Sequence, residues 1–230
     1  ERTHHMAKFF ETFEVIESDG AWMRGPHPVD MPGRGLSTAM VDICAPAVRT
    51  PPEDYPLGEE VYPFAIVAND IVPTRCSPED IIDTDRAEVV RATEYYVTKA
   101  VWEGVAGVNN YDMFLTHTDV TTVPRATGYA ETLANVLRAA YDNRPGIRPT
   151  VHLGFLAAQA LQLGLNNLGL PYVVAQGYPV DAIAVTGPVR ILLSSITSHT
   201  DVRMKDNRRE IEFTRFAQVE FDTSSAVRAA

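Results

Sequence analysis

The clearest pattern of hydrophobic and polar positions lies in residues 209–222, which read REIEFTRFAQVEFD. Apolar side chains occupy alternate positions on one side of a two-residue repeat: Ile211, Phe213, Ala217, Val219 and Phe221. A β-strand places successive side chains on opposite faces, so the repeat predicts a long strand with one solvated face. Arg215 on the apolar side and Phe216 on the polar side interrupt the pattern, which indicates a bulge or a contact with another chain.

A second pattern, over residues 84–105, predicts an amphipathic helix of about 33 Å at 1.5 Å per residue. Valines at spacings of four or seven form its apolar stripe: Val90, Val97, Val101 and Val105. Residues 77–80 and 83–84 offer N-terminal caps, and Gly104 and Gly107 are expected to end the helix. The aromatic residues on its neighbouring faces are expected to pack rather than to form a cofactor site: Tyr95, Tyr96 and Trp102.

Helices alternate with short apolar strands in the following part of the chain. Helices are predicted over residues 128–143 and 155–167, and strands over residues 148–154, 170–176, 181–187 and 189–195. This alternation predicts an α/β block with its own core. We expect the block to be inserted between boundaries near residues 110–125 and 196–203, so that the chain returns to the first domain for its last long strand.

Residues 20–60 are rich in Gly and Pro and keep no helical or strand period. Two strand-like pieces, residues 13–18 and 61–70, bracket this segment, so it predicts an extended hairpin that projects from the body. The segment also carries large apolar residues that it cannot bury by folding on itself: Trp22, Met23, Met31, Leu36 and Met40. We therefore expect a neighbouring subunit to cover them.

Composition narrows the function classes. The 230 residues are 45% hydrophobic, which is enough for a sizeable core, and the formal net charge is −10. A negative balance argues against a surface that grips nucleic acid by neutralising phosphates. The two cysteines, Cys44 and Cys76, lie far apart and outside any metal-ligand spacing, and no apolar run approaches the roughly 20 residues of a membrane span.

Candidate chemistry is sparse. The tetrapeptide HTDV occurs at residues 117–120 and 199–202, and such His and Asp pairs are either a metal site with N and O ligands or ordinary turns and caps. Cys44 with His27 or His117 would make a thiol hydrolase pair, although nothing in their spacing supports one. Phosphate loops, nucleophile elbows and dinucleotide fingerprints are absent from the sequence. We predict no catalytic, cofactor-binding or metal-binding residue.

The order of these parts resembles the major capsid protein of tailed bacteriophages. The segments that carry the resemblance are LGLPYVVAQGYPVDAIAVTGPVRILLSS, with residues 169–176 and 182–187, and RMKDNRREIEFTRFAQVEF, with residues 207–221. The resemblance implies an α+β shell fold that encapsulin nanocompartments share. Its implied parts are an N-terminal arm with the first strand (1–20), an extended β-hairpin loop (21–60), a peripheral domain with a long spine helix and long strands (61–120), an inserted α/β axial domain (121–198) and a return to the peripheral domain (199–230).

The resemblance also implies a function. The chain would be a non-enzymatic subunit, without cofactor, that self-assembles into hexamers and pentamers of an icosahedral shell around double-stranded DNA. Its partners would be further copies of itself and scaffold, portal and cement proteins, and it would reside in the virion after assembly in the host bacterial cytoplasm, with no membrane association. The extended loop would lie over a neighbour, and other subunits would satisfy Arg215 and Phe216. The alternatives are an encapsulin-like compartment and a small α/β hydrolase or ligand-binding protein.

Some members of that family lock the shell with isopeptide bonds from a lysine in the extended loop. This sequence has three lysines, Lys8, Lys99 and Lys205, and none lies between residues 9 and 98. We therefore expect a shell held by non-covalent contacts or by a cement protein. Glu1 as the first residue is expected either from removal of a scaffolding segment by a maturation protease or from truncation.

Overall fold

The computed structural model of the chain describes residues 9–24, 27–28, 60–61, 63–73, 79–105, 114–203 and 208–230. Its helices are α1 (Phe9–Thr12), α2 (Glu79–Glu103), α3 (Tyr129–Asn143) and α4 (Phe155–Leu168). Its strands are β1 (Glu14–Glu17), β2 (His27–Pro28), β3 (Glu60–Val61), β4 (Phe64–Pro73), β5 (Thr121–Val123), β6 (Thr150–Leu153), β7 (Tyr172–Val174), β8 (Ile183–Thr186), β9 (Val189–Leu193), β10 (Thr197–Arg203), β11 (Arg208–Phe221) and β12 (Val227–Ala229). These helices and two five-stranded sheets confirm the predicted α+β class.

The first sheet is organised around β11, the predicted long strand. This strand pairs antiparallel with β4 on one edge and with β10 and then β9 on the other, and β1 adds to β9 in parallel. The apolar positions of the two-residue repeat are buried, as predicted, from Ile211 to Phe221. Beyond Ala217 every residue of β11 is buried, because this end of the strand is covered on both faces.

The bulge predicted within β11 is wrong. Its pairing with β4 keeps one register through Arg215 and Phe216. On the other edge of β11, Thr214 pairs with Thr197 and Ala217 pairs with Leu193. Leu193 and Thr197 are four positions apart in sequence, whereas Thr214 and Ala217 are three positions apart. The extra residue therefore lies between β9 and β10, where the chain must change from one strand to the next beside an uninterrupted β11.

Arg215 is also satisfied within its own chain, which corrects the expectation of a partner subunit. Its guanidinium Nε donates to the carbonyl oxygen of Ser194 at 3.0 Å, and Nη2 donates to the Glu17 carboxylate at 2.7 Å. The backbone amide and carbonyl of Phe216 are bound by the Ser194 hydroxyl and amide, both at 2.9 Å. The side chain that interrupts the apolar pattern thus ties β1 to the irregular joint between β9 and β10.

Helix α2 confirms the predicted long helix but begins earlier, at Glu79, so the proposed cap at residues 83–84 is wrong. Val97 and Val101 are fully buried, whereas Val90 is 51% exposed and Val89 is buried in its place. Residues at four-residue steps form a ridge inclined to the helix axis. The first sheet packs against the ridge that includes Val89. Val90 is the next residue along the helix and therefore points away from the core.

The C-terminus of α2 is closed by Gly104, as predicted, while Gly107 lies outside the described residues. Gly104 adopts a left-handed φ of +77°, which favours glycine. The amides of Leu115 and Thr116 then donate to the carbonyl oxygens of Val101 and Trp102 at 2.7 and 3.0 Å. The last helical carbonyls therefore find partners in the segment that returns to the helix.

The second sheet has the strand order β5, β12, β8, β6, β7 and carries α3 and α4 on one face. The predicted helices and the strands β6, β7 and β8 are confirmed. Strand β9 follows β8 in sequence but pairs in the first sheet, and β12 pairs in the second sheet after β11 has completed the first. The chain therefore crosses between the sheets more than once, and the boundaries at residues 121, 198 and 199 remain predictions.

The base of the predicted extended loop is a two-residue pairing of β2 with β3, in which Pro28 lies opposite Glu60. Residues 29–59, with Met31, Leu36 and Met40, lie outside the described part of the chain. The expectation that a neighbouring subunit covers Trp22 is wrong, because Trp22 is buried within its own chain. Its side chain is 8% exposed, and its indole N–H donates to the Ser18 carbonyl at 3.1 Å.

Helix α2 joins the two sheets through one continuous core. Val97, Ala100, Val101 and Trp102 pack in a cluster with residues of β4, β9 and β11 on one side and β7 and β8 on the other. The loop after β7 approaches so closely that the Gly177 amide donates to the Thr98 hydroxyl at 3.1 Å. A Cβ at Gly177 would lie 2.3 Å from the Lys99 amide nitrogen, so only glycine permits this contact.

A buried polar network lies on the face of the second sheet that meets α1. His152 is fully buried, with Nδ1 2.7 Å from the Tyr178 hydroxyl and Nε2 2.7 Å from the Thr186 hydroxyl. Thr186 donates to the Gly187 carbonyl at 3.0 Å, so its oxygen accepts the Nε2 proton and Nδ1 accepts from Tyr178. The Phe13 ring stacks on the imidazole at 5.3 Å. Burial lowers the pKa of His152 to about 3, so the imidazole is neutral.

Two matched substitutions can test which side of α2 packs in the core. Val97→Asp places an unpaired charge in the shared core and should reduce the free energy of unfolding by several kcal/mol, about 3 or more. Val90→Asp introduces the same charge on the same helix at an exposed position and should change it by about 0.5 kcal/mol or less. Urea denaturation followed by circular dichroism measures both, and equal losses would contradict the facing.

The His152 network predicts a dependence of stability on pH. The folded pKa lies below the unfolded value of 6.5, so the stabilisation is complete above pH 6.5 and is lost as the pH falls towards 3. Between pH 6.5 and 5 the free energy of unfolding should fall by up to about 2 kcal/mol from this group. His152→Gln should remove that part of the slope, measured by urea denaturation across this range. His199→Gln, at an exposed position, is the matched control, and equal slopes in the two variants would contradict the prediction.

Candidate functional site

The outer face of the first sheet, which points away from α2, is the first candidate surface. The register places side chains on this face in cross-strand rows: His199, Glu212 and Asn69 in one row, and Asp201, Glu210 and Ile71 in the next. The next row towards the C-terminal end of β11 contains Thr197, Thr214 and Val67. Val67 and Ile71 are 47% and 57% exposed, so an apolar strip on β4 lies beside an acidic strip on β10 and β11.

A groove of about 460 Å³ runs between α2 and β4. Its apolar lining includes Ile66, Val67, Tyr96 and Ala100. Lys99 and Glu103 line it as well and form an ion pair at 3.3 Å. Trp102 packs in the core, as predicted for the helix aromatics. Tyr95 and Tyr96 are 39% and 47% exposed, and their rings pack edge to face against each other at 5.2 Å. Among the described strands, β4 pairs only with β11.

A second exposed apolar surface lies at the start of α4. Phe155, Leu156 and Val180 are each about half exposed, at 58%, 47% and 59%. The Leu156 amide donates to the Val180 carbonyl at 2.7 Å, which holds the helix start against the loop before β8. Clustered apolar side chains on a surface mark interaction sites more often than single ones do.

The two HTDV tetrapeptides have different structural settings. His117 lies in a turn, where its Nδ1 accepts the Asp119 amide at 3.2 Å, whereas His199 and Asp201 lie on β10 opposite Glu212 and Glu210. Within the described ranges no three His, Cys, Asp or Glu side chains gather in a cluster suited to a metal ion. Cys44 lies outside those ranges, so its pairing with His27 or His117 has no structural test.

Two carboxylates near the first sheet have shifted pKa values. The Ser195 hydroxyl and amide donate to Asp19 at 2.7 and 2.9 Å, which lowers the pKa of its carboxyl and anchors the chain just after β1. Burial, and then the charge of Asp70, raises the pKa of Asp85 on α2. Asp19 is exposed and both of its partner groups belong to Ser195 of the same chain, so it stabilises local structure.

Sequence reasoning missed the exposed apolar surfaces and the His152 network. The sequence did contain a sign of the network, because His152 interrupts the apolar strand β6 and Tyr178 lies shortly after the apolar strand β7. The pairing of β6 with β8, which places His152 beside Thr186, has no local signal. No helix among the described residues combines the length and apolarity of a membrane-spanning segment.

No family model and no curated protein matches this sequence. Solved structures do match over most of its length. The capsid of an empty GTA particle is 10% identical with a TM-score of 0.64, covering 98% of this chain and 90% of that one. The procapsid of satellite phage P4 is 15% identical with a TM-score of 0.52, covering 95% and 92%.

An encapsulin complex from Synechococcus elongatus PCC 7942 is 10% identical with a TM-score of 0.54, covering 75% of each chain. At these identities the similarity concerns the fold. The predicted shell fold is therefore confirmed: this chain has the fold of phage capsid proteins, which encapsulin shells share.

Proposed function

We propose that this chain is a major capsid protein that self-assembles into hexamers and pentamers of an icosahedral shell around double-stranded DNA. The observation that carries the proposal is a shell fold over nearly the whole chain, combined with apolar surfaces that the single chain leaves exposed. These surfaces lie on the outer strip of β4, in the groove beside α2 and at the start of α4. Contacts between subunits would cover them.

The extended loop of a neighbour suits the groove between α2 and β4. The loop begins and ends at the β2–β3 pair, and β3 leads directly into β4. The groove is apolar, with a single described ion pair among its lining residues, and the loop carries Met31, Leu36 and Met40. Burying these side chains against the groove supplies a favourable free energy of assembly of about 25 cal/mol per Å² of apolar surface.

The charge balance supports enclosure of DNA rather than specific binding. With a net charge of −10 the subunit lacks the excess of lysine and arginine that neutralises phosphates. Packaging and closure would then depend on portal, scaffold and cement proteins, and the mature shell would be found in the virion after assembly in the host bacterial cytoplasm.

An encapsulin-like compartment is the second candidate, because an encapsulin shares the fold over 75% of the chain. Such a shell holds protein cargo instead of DNA. A small hydrolase or ligand-binding protein is a weaker alternative, since His152 and the Tyr178 and Thr186 hydroxyls that it contacts are all buried away from solvent.

Negative-stain microscopy of the expressed chain tests the proposal directly. We expect closed icosahedral particles, and in phage-infected cells we expect them to protect DNA from nuclease. Small cages filled with protein and without protected DNA would favour the encapsulin-like function. A monodisperse monomer at all concentrations would contradict both.

Excision of the extended loop should separate folding from assembly. Joining Pro28 to Glu60 with a short turn removes residues 29–59 but keeps the β2–β3 pair, so it costs little closure entropy. We expect a folded subunit by circular dichroism that forms no shells by light scattering. A glycine-serine linker of the original length is the matched control and should also prevent assembly, because it lacks the apolar residues.

Two results would contradict the role of the loop. Unfolding of the excised variant would place residues 29–59 in the core of the subunit itself. Unchanged particles of megadalton size would show that the segment has no part in assembly.

The lysine distribution predicts a shell without covalent cross-links. Because no lysine lies between residues 9 and 98, mature particles boiled in detergent should migrate as a single band at the mass of one chain. A ladder of multimers in the same gel would contradict this prediction.

A further inference from the structure

We infer that two copies of this chain pair edge to edge through β4, around a two-fold axis at Asn69, so that their first sheets become one continuous sheet. The inference rests on the proposed function, since copies of the chain must meet in a shell, and it adds a contact apart from the extended loop. The partner is a second copy, and the contact uses the strand segment from Val67 to Ile71.

Strand β4 presents an edge that has no partner among the described strands. It pairs with β11 over its whole length, but along one side only. The Ile71 amide donates to the neighbouring Asp70 carboxylate at 2.7 Å, so this amide points away from β11. Backbone groups alternate between the two sides of a strand, so the amides and carbonyls of Val67 and Asn69 point the same way. A row of such outward groups is a template for another strand.

The outer face of β4 also lacks the charges that usually protect an edge strand. Four successive side chains on this face are exposed and uncharged: Ala65, Val67, Asn69 and Ile71. Asp70, the one charged residue of β4, lies on the opposite face beside Asp85 of α2. The other edge strands of this sheet carry exposed acidic residues: Glu14 and Glu17 on β1, and Asp201 on β10. In a chain of net charge −10, two copies approach at the lowest electrostatic cost along the neutral edge of β4.

The sequence of β4 is self-complementary in one antiparallel register. With Asn69 opposite Asn69 of the second copy, Val67 lies opposite Ile71, so an amide meets an amide and an aliphatic side chain meets another. On the opposite face, Asp70 lies across from Ala68, so the two Asp70 carboxylates do not face each other. Pro73 falls at an outward position and has no N–H to donate, so the ladder ends after Ile71. The paired segment is thus residues 67–71 in each copy.

The contact is small, so it adds to other contacts in a shell rather than holding a dimer by itself. Hydrogen-bonded pairs in an antiparallel ladder exchange two bonds each, so the three outward positions supply about six backbone hydrogen bonds. Val67 and Ile71, which are 47% and 57% exposed in the single chain, cover each other across the axis. Stable interfaces bury roughly 1,200 Å² or more, which five residues from each copy do not reach.

The two contacts of β4 use different ends of the strand. Residues 64–67 line the groove beside α2, where the extended loop of a neighbour is proposed to bind. Residues 67–71 form the edge pairing, so Val67 alone is shared. The two contacts can therefore be disrupted separately.

Disulfide cross-linking tests the contact. In the full chain with Cys44→Ser and Cys76→Ser, Asn69→Cys places two thiols opposite each other, with Cα atoms about 5.5 Å apart, which suits a disulfide. Ala65→Cys is the matched control, exposed on the same face but about 27 Å along the strand from its copy at 3.4 Å per residue. After mild oxidation under assembly conditions, Asn69→Cys should give about tenfold more covalent dimer on a non-reducing gel, because the control thiols meet only by collision.

A mixture of two variants tests the register. In the same background, Val67→Cys or Ile71→Cys alone places the two thiols about 14 Å apart along the strand, so neither should give specific dimer. In the mixture, the thiol at position 67 of one copy lies opposite the thiol at position 71 of the other. Dimer from the mixture but from neither variant alone supports the register, and its absence would overturn it.

The outcomes separate the inference from the proposed function. Equal amounts of dimer from Asn69→Cys and Ala65→Cys would indicate random collision and overturn the contact. Absence of specific dimer, with each variant folded by circular dichroism, would also overturn it, and normal shells in the same preparations would leave the proposed function standing. Specific dimer from chains that never form shells would support the contact and contradict the proposed function alone.

Discussion

Helix α2 must pack against both sheets at once, and the rest of the structure depends on that constraint. Its ridge of four-residue steps buries Val97 and Val101 against the first sheet. On its other side Gly177 approaches within hydrogen-bonding distance of Thr98, which a side chain at that position would prevent. Because one core serves both sheets, strands as far apart in sequence as β4 and β11 are held in the register that forms the outer face.

Two buried polar groups connect the N-terminal segment to this core. Arg215 closes the irregular joint between β9 and β10 and holds β1 through Glu17. His152 fills the space between the second sheet and α1, where Tyr178 and Thr186 satisfy both ring nitrogens. Buried polar groups are tolerated only when they are hydrogen-bonded. Both groups attach the N-terminal segment, residues 9–19, to strands that come more than 130 residues later.

The same core leaves apolar and charged surfaces uncovered, and these surfaces give the fold its proposed function. Strand β4 pairs with β11 along one edge. Its exposed Val67 and Ile71 form an apolar strip beside the acidic side chains of β10 and β11. Apolar area supplies free energy of association, whereas charge selects the partner and its orientation. Under the proposed function, contacts between subunits would cover the apolar strip.

Local patterns in the sequence determined most elements of the fold. The two-residue repeat defined β11 to within one residue at each end, and the helical and strand periods defined α3, α4, β6, β7 and β8, because these patterns depend on neighbours along the chain. The resemblance of their order to a capsid protein indicated the shell fold. Only the tertiary structure decided that Val89 rather than Val90 faces the core and that Arg215 binds Glu17. It also decided that β9 joins the first sheet and β12 joins the second. These features depend on which distant segments meet. Arg215 has the same neighbours in sequence whether it binds Glu17, faces solvent or contacts another chain.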